Sequence, residues 1–277
     1  MSFATDYLAQ LERFGQRASL PRVRALHLPP DAAPGEPRGE FCALELDDGS
    51  LGLSYVLLDD TLARLRALDP TLGLAGADAL QLARRYADGG GAQRTLGFAA
   101  ANALSGCLYR RAGWRPARSA DSLGALDPRP GEAIGMIGLF TPLLARVLAS
   151  GAKLTVLELK AHLAGQREGY HVTLDAGVLR DCDKVIATGT LVLNDTLDRM
   201  LALCERARCI ALIGPSMGCL PDALFARGVT LLGGSWVLER EAYIDALRRG
   251  ALCAGLAQKV AITPADYPGF ETLLART

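Results

Sequence analysis

Five short apolar runs in the second half of the chain constrain its fold more than any other feature of the sequence. They lie at 133–137, 154–159, 185–187, 210–213 and 229–232, and they show almost no alternation of polar with apolar residues. Strands that are covered on both faces have this pattern, which is typical of a parallel sheet. Helical patterns near 142–150, 195–206, 220–226 and 239–249 separate the runs. With right-handed crossovers, they predict an α/β fold: a Rossmann-like parallel sheet with helices on both faces.

The first third of the chain has a different organisation. After an amphipathic helix and a proline-rich loop at 29–37, alternating runs at 41–46 and 51–57 flank Asp47-Asp48-Gly49-Ser50, which predicts a β-hairpin. Helical patterns follow near 59–68, 76–88 and 93–111. The stretch 113–130 contains Pro116, Pro128 and Pro130 and is interpreted as a linker. We therefore predict a smaller α+β domain at 1–115 and a Rossmann-like domain at 116–277.

The bulk composition narrows the classes of partner. Thirty basic residues balance thirty acidic ones, so no overall charge draws the chain toward nucleic acid or a membrane surface. Seven cysteines form an odd set without repeated close spacing, which favours reduced thiols over a disulfide framework. Neither a signal-peptide pattern nor an uninterrupted apolar stretch of about 18 residues is evident. We expect a soluble cytoplasmic protein that binds a small molecule or a metal.

Glycine-containing turns follow the predicted strands and locate a candidate site. They are Gly138-Leu139-Phe140, Thr188-Gly189-Thr190, Gly214-Pro215-Ser216 and Gly233-Gly234-Ser235. In an open parallel sheet the carboxyl ends of the strands line one crevice, where such folds bind small molecules. The turns therefore predict where a ligand binds, without identifying its chemistry.

The first turn is a poor pyrophosphate loop. If the strand runs through Ile137, only Gly138 lies in the turn, and Leu139 and Phe140 stand where backbone must approach a pyrophosphate. Thr141 is predicted to cap the next helix, whose N-terminus could receive an anion. Glu158 ends the second strand, where an acid can accept hydrogen bonds from ribose hydroxyls. An ion pair with Lys160 is the alternative.

The later turns carry polar residues that have two interpretations each. Thr188, Thr190, Asn194 and Asp195 could hold a carboxylate, a phosphate or an amino-acid headgroup, or could cap the following helix. Cys219 lies near a predicted helix start, where the helix dipole would stabilise a thiolate, but most isolated cysteines are small buried hydrophobes.

Local spacing gives a metal site little support. Cys204 and Cys209 are too far apart for a CxxC knuckle and fall on a predicted helix. His162 and His171 lack a shared helical face. Ligands from separate turns stay open as an alternative.

The runs IGMIGLFTPLL, LTVLELK, VIATGTLVLNDTLD and IALIGPSMGCLPDALFARGVTLLGG, with the closing helix before Arg249-Gly250, resemble the putative heavy-metal chelation family. The hairpin and helices before residue 113, including RTLGFAAANALSG, resemble the smaller enolase N-terminal-like domain that accompanies it. The resemblance implies a ligand cleft between the domains. Its residues would be Asn102, Gly138, Leu139, Phe140, Glu158, Thr188, Gly189, Thr190, Asn194, Gly214, Pro215 and Ser216.

Three functions follow as alternatives. The first is a protein of metal homeostasis or metallophore metabolism whose cleft holds a transition metal or a metal chelate. The second is an enzyme that uses a nucleotide-like cofactor such as S-adenosylmethionine, with Glu158 on its ribose. The third is an interaction module whose polar turns only cap helices. A homodimer stays open, because nothing in the pattern determines stoichiometry.

Overall fold

The computed structural model describes residues 2–31, 39–119, 126–253 and 255–277. Its N-terminal part begins with an amphipathic helix and a three-stranded antiparallel sheet, followed by three helices. Their bounds are α1 Phe3–Arg17, β1 Val23–His27, β2 Phe41–Leu46, β3 Leu51–Tyr55, α2 Thr61–Leu72, α3 Ala79–Asp88 and α4 Gly91–Arg111. This part has the predicted α+β organisation.

The rest of the chain alternates strands with helices. The elements are β4 Ala117–Arg118, β5 Ala133–Ile137, α5 Thr141–Ala149, β6 Lys153–Leu157, β7 Gly165–Arg167, β8 Tyr170–Thr173, β9 Lys184–Thr188, α6 Leu197–Leu203, β10 Cys209–Ile213, α7 Asp222–Phe225, β11 Leu231–Val237, α8 Arg240–Arg248, β12 Ala257–Ile262 and α9 Phe270–Leu274. None of the helices in the described ranges is both long and apolar enough to cross a membrane.

The order of the parallel strands identifies where a ligand site is expected. Within the described residues the larger sheet has nine strands in the order β4-β12-β11-β10-β9-β5-β6-β8-β7. From β11 to β8, neighbouring strands pair in parallel. Numbered by their sequence, these six strands run 6-5-4-1-2-3, which is the doubly wound order of dinucleotide-binding folds. The strand order reverses between β5 and β9, so the predicted Rossmann-like fold is confirmed.

Antiparallel strands extend both edges of this sheet, and the apolar-run pattern did not indicate them. At one edge β12 pairs with β11, and β4 pairs with β12, so the predicted linker contributes a strand to the sheet. At the other edge β7 pairs antiparallel with β8. These strands have exposed positions and lack a continuous apolar run, because each lies at or next to an edge. Part of the linker, 120–125, lies outside the described residues.

Several predicted element boundaries, and one predicted helix cap, are wrong. The strand predicted at 229–232 runs through Val237, so Gly233-Gly234-Ser235 lies inside β11 and is not a turn. Cys209 starts β10 and is not helical. Thr141 is the first residue of α5; Phe140 occupies the N-cap position, and no side chain caps that end.

One continuous core joins the N-terminal elements to one face of the larger sheet. It contains Phe3, Tyr7 and Phe98 from the helices together with Leu212 and Leu232 from the sheet. A second cluster covers the opposite face around Met136 and Val156. The larger sheet is thus buried on both sides, as its apolar runs indicate. The domain boundary at 115/116 stays a prediction.

Candidate functional site

A cavity of about 400 Å³ lies between the N-terminal hairpin, helix α4 and the ends of β10 and β11. That volume falls within the range of small-molecule sites. Its lining residues are Asp48, Gly49, Ser50, Leu51, Leu53, Asn102, Gly106, Tyr109, Arg110, Arg115, Pro215, Ser216, Gly218, Ser235, Trp236, Val237, Leu238 and Arg240. The N-terminal part and the Rossmann-like part therefore both contribute walls.

Close backbone packing holds the hairpin against helix α4. A Cβ added to Gly52 would lie 2.0 Å from the Ala99 carbonyl oxygen and 2.3 Å from the Ala103 nitrogen, so only glycine lets β3 approach the helix. Gly49 turns the hairpin with φ +82°, a conformation that glycine adopts without strain. An added Cβ there would lie 2.5 Å from Arg240 Nη1. The hairpin turn therefore lies beside the start of α8.

Asn102 joins the two parts at the floor of the cavity. Its buried amide Nδ2 donates to the Leu53 carbonyl at 2.9 Å and to the Ser216 carbonyl at 2.8 Å. The Tyr7 hydroxyl donates to Asn102 Oδ1 at 3.2 Å. Since all three partners are protein groups, the amide's main observed role is to position β3 and the turn after β10 relative to each other.

Charged side chains are concentrated on one side of the cavity. Arg110 donates to Asp48 Oδ2 at 2.6 Å and to the Asp48 carbonyl at 2.9 Å. Arg240 Nη1 lies 3.6 Å from Glu45 Oε1, and Arg240 Nη2 lies 3.1 Å from Glu241 Oε1. Arg115 stacks on the Trp236 ring, with its guanidinium carbon 5.7 Å from the ring centroid. Three arginines and one aspartate therefore line the cavity.

The ionised form of Asp48 is stabilised locally. Burial raises its pKa, but hydrogen bonds from the Ser50 backbone and the Cys107 thiol, with the charge of Arg110, outweigh burial and lower the pKa overall. The Ser50 backbone N–H donates to Asp48 Oδ1 at 2.9 Å. A charged Asp48 therefore keeps Arg110 at the cavity.

The strand-order reversal places Gly138 against Thr188, as the glycine turns predict. A Cβ at Gly138 would lie 3.1 Å from Thr188 Cγ2, and Gly138 has φ +81°. Strand β5 ends at Ile137, which confirms that only Gly138 of the first glycines lies in the turn. Leu139 and Phe140 are half-buried against the core. They leave the first turn without the small residues that a pyrophosphate requires.

The carboxylate of Glu158 accepts hydrogen bonds from backbone N–H groups at the same edge of the larger sheet. Its Oε2 accepts the Leu139 N–H at 3.2 Å, and its Oε1 accepts the Leu159 N–H at 2.8 Å and the Lys160 N–H at 3.4 Å. The contact with Lys160 is thus to its backbone and differs from the ion pair considered as the alternative to ribose binding. Glu158 holds the ends of β5 and β6 together in this structure.

The polar residues after β9 mostly bind one another. Thr188 Oγ1 accepts from the Thr190 N–H at 3.3 Å and the Thr190 hydroxyl at 3.2 Å, capping the 3-10 turn Gly189–Val192. Asn194 Oδ1 accepts from the Thr196 hydroxyl at 2.6 Å, whereas α6 begins at Leu197 without a side-chain cap. Asp195 pairs with Arg94. Capping explains Thr188, but Asn194 and Asp195 do not cap the helix.

The predicted site residues form a row of neighbours along the sheet edge, and only part of that row reaches the cavity. Gly214 follows Gly189, since an added Cβ at Gly214 would lie 3.6 Å from Gly189 N. Of the predicted residues, Asn102, Pro215 and Ser216 line the cavity. Gly138, Leu139, Phe140, Glu158, Thr188, Gly189, Thr190, Asn194 and Gly214 do not belong to its lining.

The charged wall of the cavity contains none of the predicted site residues. The sequence pattern places Asp48 in a hairpin turn and gives Arg110, Arg115, Trp236 and Arg240 no distinguishing feature. The one usable signal was an acidic hairpin turn combined with arginines at the end of a long helix. No single local spacing links these residues, because they come from three separate segments of the chain, at 48, 110–115 and 236–240.

The thiols do not form a metal centre in the described part of the chain. No group of three or more His, Cys, Asp or Glu side chains there could hold a metal ion. Burial raises the pKa of Cys42, Cys107, Cys204 and Cys219 to about 12. A thiol binds metal as the thiolate, so these four stay poor ligands at neutral pH. The same burial contradicts the hypothesis of a dipole-stabilised Cys219 thiolate.

Comparison with known proteins gives two matches to family models. A model named DUF364, described as "Putative heavy-metal chelation", matches residues 121–265. A second, DUF4213, has the same description and matches residues 39–105. No curated protein matches the chain.

Two solved structures share the fold over nearly the whole chain. A DUF364 protein of unknown function from Desulfitobacterium hafniense is 21% identical, with a TM-score of 0.70, over 94% of this chain and 98% of its own. A second DUF364 protein, from Pyrococcus horikoshii, is 22% identical, with a TM-score of 0.65. The alignment covers 93% of this chain and 99% of that protein. At this identity the similarity shows the fold.

Proposed function

Because the chain belongs to the family described as "Putative heavy-metal chelation", we propose that it binds a small molecule, in particular a metal chelate, in the cavity between its two parts. The single observation that carries the proposal is the cavity itself. It has ligand-sized volume and lies at the carboxyl ends of β10 and β11, on the edge of the sheet where α/β folds bind ligands, although it is displaced from the strand-order reversal between β5 and β9.

The residues present favour a chelated metal over a bare ion. Direct binding of a heavy metal requires several thiolate, imidazole or carboxylate ligands in one place, and the described residues contain no such group. None of the cysteines lines the cavity. An organic chelator would bring its own ligands and would present only its outer surface to the protein. A role in metal homeostasis or metallophore metabolism fits this mode of binding.

A second candidate is an enzyme that uses an S-adenosylmethionine-like cofactor. The observation in its favour is the doubly wound strand order, with Gly138 and Thr188 in contact where that order reverses and Glu158 at the end of the second strand. Such a ligand would occupy the carboxyl ends of β5 and β6. The two candidates therefore use different parts of the same sheet edge.

A cavity-filling variant tests the proposal. Gly218 lines the cavity, and a Cβ added to it meets nothing within 4 Å. We expect Gly218→Leu to fold normally and to lose binding by tenfold or more, since one added side chain occupies ligand space. Gly90 also has open space around an added Cβ and lies away from the cavity, so Gly90→Leu is the matched control.

The measurement is calorimetric titration with nickel, copper and zinc citrate complexes, and with the free metal ions. Native mass spectrometry with elemental analysis of gently purified protein identifies any ligand that is carried along. Chelate binding that disappears in Gly218→Leu and persists in Gly90→Leu supports the proposal. The absence of any bound metal or chelate contradicts it, and binding of S-adenosylmethionine that survives Gly218→Leu favours the second candidate.

A further inference from the structure

Resting on the proposed function, we infer that the ligand of this cavity is a small organic anion whose carboxylate or phosphate group pairs with Arg115. The charge of the lining is the first reason. Three arginines and one aspartate line the cavity, although the whole chain has a formal net charge of zero. Since Asp48 offsets Arg110 and two glutamates lie near Arg240, the unbalanced positive charge at the cavity is that of Arg115, which would attract an anion.

Arg115 differs from the other two arginines in having no carboxylate partner. Arg110 is held by Asp48, and Arg240 lies near Glu45 and Glu241. Across the described ranges, the only interaction found for the exposed Arg115 guanidinium is its stacking on Trp236. This cation–π contact supplies no hydrogen-bond acceptor, so the N–H groups along the edge of the Arg115 guanidinium are available to donate two parallel hydrogen bonds to a carboxylate or phosphate.

The start of helix α8 adds positive potential beside this edge. Arg240 is the first residue of the nine-residue helix, and no side chain caps that end. The first N–H groups of a helix have no partner within the helix and carry the positive end of its dipole. Leu238 and Arg240, on either side of the N-cap residue, both line the cavity. Glu239 at the N-cap and Glu241 in the first turn offset part of this potential, so the preference for an anion depends mainly on Arg115.

The remaining wall indicates a ligand with a carbon skeleton. Leu51, Leu53, Trp236 and Leu238 line the cavity, and Leu238 is 44% exposed. A bare inorganic anion would leave these apolar surfaces in contact with water, whereas an organic anion would cover them. A metal chelate with free carboxylates has both an anionic edge and a carbon skeleton.

The test uses the full chain, with calorimetric titration of citrate and glycerol phosphate as the carboxylate and phosphate probes. Propane-1,2,3-tricarboxamide is the neutral analogue, and inorganic phosphate is the anion without a carbon skeleton. We expect Arg115→Gln to weaken binding of the preferred organic anion by about tenfold or more, as loss of a charge-assisted pair does. Affinity is also expected to fall with added salt.

Arg249→Gln is the control, because it removes the same charge from the exposed end region of α8, where Arg249 pairs with Asp245 away from the cavity lining. Equal binding by Arg115→Gln and Arg249→Gln would overturn the inference, as would binding of the neutral analogue as tightly as the anions, or binding of neither anion. A neutral ligand that is lost in Gly218→Leu would leave the proposed function standing and remove this inference. A binding affinity that Gly218→Leu leaves unchanged would contradict the proposed site itself.

Discussion

Asp48 shows how one side chain of a hairpin turn acquires a role through its neighbours. The sequence identifies the turn from Asp-Asp-Gly-Ser, where glycine supplies the left-handed conformation. It does not reveal that the turn meets Arg110 of helix α4, 62 residues further along the chain. That contact places a charged pair at the cavity and lowers the pKa of Asp48.

The lowered pKa predicts an acid-dependent loss of stability. The unfolded chain has an aspartate pKa of about 3.9, above the folded value, so it binds more protons than the native state as pH falls. The contribution of Asp48 is fully present above that value and is lost as pH drops through the lower folded pKa. We expect Asp48→Asn to be less stable than the wild type by about 1 kcal/mol at pH 7, discounted for partial exposure.

Urea unfolding at pH 7 and pH 3 measures this effect. The difference between the wild type and Asp48→Asn should shrink at pH 3, where both carry a neutral side chain in the unfolded state. A difference that grows on acidification would contradict the assignment. Asp60→Asn is a suitable control, since the pair that Asp60 forms with Arg64 is exposed.

At the level of elements, the cavity depends on how closely strand β3 approaches helix α4. The helix contains many small residues, and Gly52 faces its backbone. Small residues let a strand and a helix pack backbone to backbone, which brings Leu51 and Leu53 of the strand alongside Asn102 and Gly106 of the helix. The position of one cavity wall is therefore set by a single glycine.

Gly52→Ala and Gly106→Ala form a matched pair of substitutions. The added methyl at Gly52 would lie 2.0 Å from backbone that cannot move aside, so we expect a loss of about 3 kcal/mol. At Gly106 the nearest atom to an added Cβ is the Leu51 carbonyl oxygen at 3.7 Å, and alanine is the better helix former. We expect that variant to gain up to about 1 kcal/mol.

Chemical denaturation followed by circular dichroism compares the two variants. Equal stability of Gly52→Ala and the wild type would show that the strand and helix are not held as closely as described. Strong destabilisation by Gly106→Ala would show that helix α4 does not tolerate an added methyl group even where the structure leaves space for it.

In the whole molecule, buried tyrosines connect the N-terminal helices to the turns of the larger sheet. The Tyr86 hydroxyl donates to the Val192 carbonyl at 2.8 Å, and the Tyr109 hydroxyl donates to the Cys219 carbonyl at 2.8 Å. Burial raises the pKa of both hydroxyls well above the usual value, so both remain neutral donors. The two parts of the chain thus share hydrogen bonds as well as a core.

Removing either hydroxyl should destabilise the whole molecule. We expect Tyr86→Phe and Tyr109→Phe each to lose about 1 to 2 kcal/mol, because each leaves a buried carbonyl without its donor. Tyr170→Phe is the control, since no described residue bonds the Tyr170 hydroxyl. Thermal unfolding monitored separately in the two parts, by near-ultraviolet circular dichroism and by hydrogen exchange, should show both shifting together. A shift confined to one part would contradict the shared core.

The sequence predicted the regular elements of the larger sheet better than its edges. Buried parallel strands have a distinctive apolar run, and the strand at 133–137 was predicted with its observed bounds. Edge strands such as Ala117–Arg118 have no such run, because they have few residues to bury. The end of β11 was missed since Gly233-Gly234-Ser235 resembles a turn. There Gly234 instead allows close contact with the Met217 carbonyl.

Apolar runs, helical periodicity and glycine turns determined by themselves that this chain folds as an α/β protein with polar turns at the sheet edge formed by the carboxyl ends of its strands. These signals are local, because each depends on burial and backbone conformation within about ten residues. Tertiary structure alone decided which part of that edge is open. Glu158, Thr188 and Asn194 each accept hydrogen bonds from nearby protein groups, whereas Arg115 and Trp236 meet at the cavity from segments more than one hundred residues apart. Contacts across such separations depend on packing of whole elements, and no spacing within the sequence encodes them.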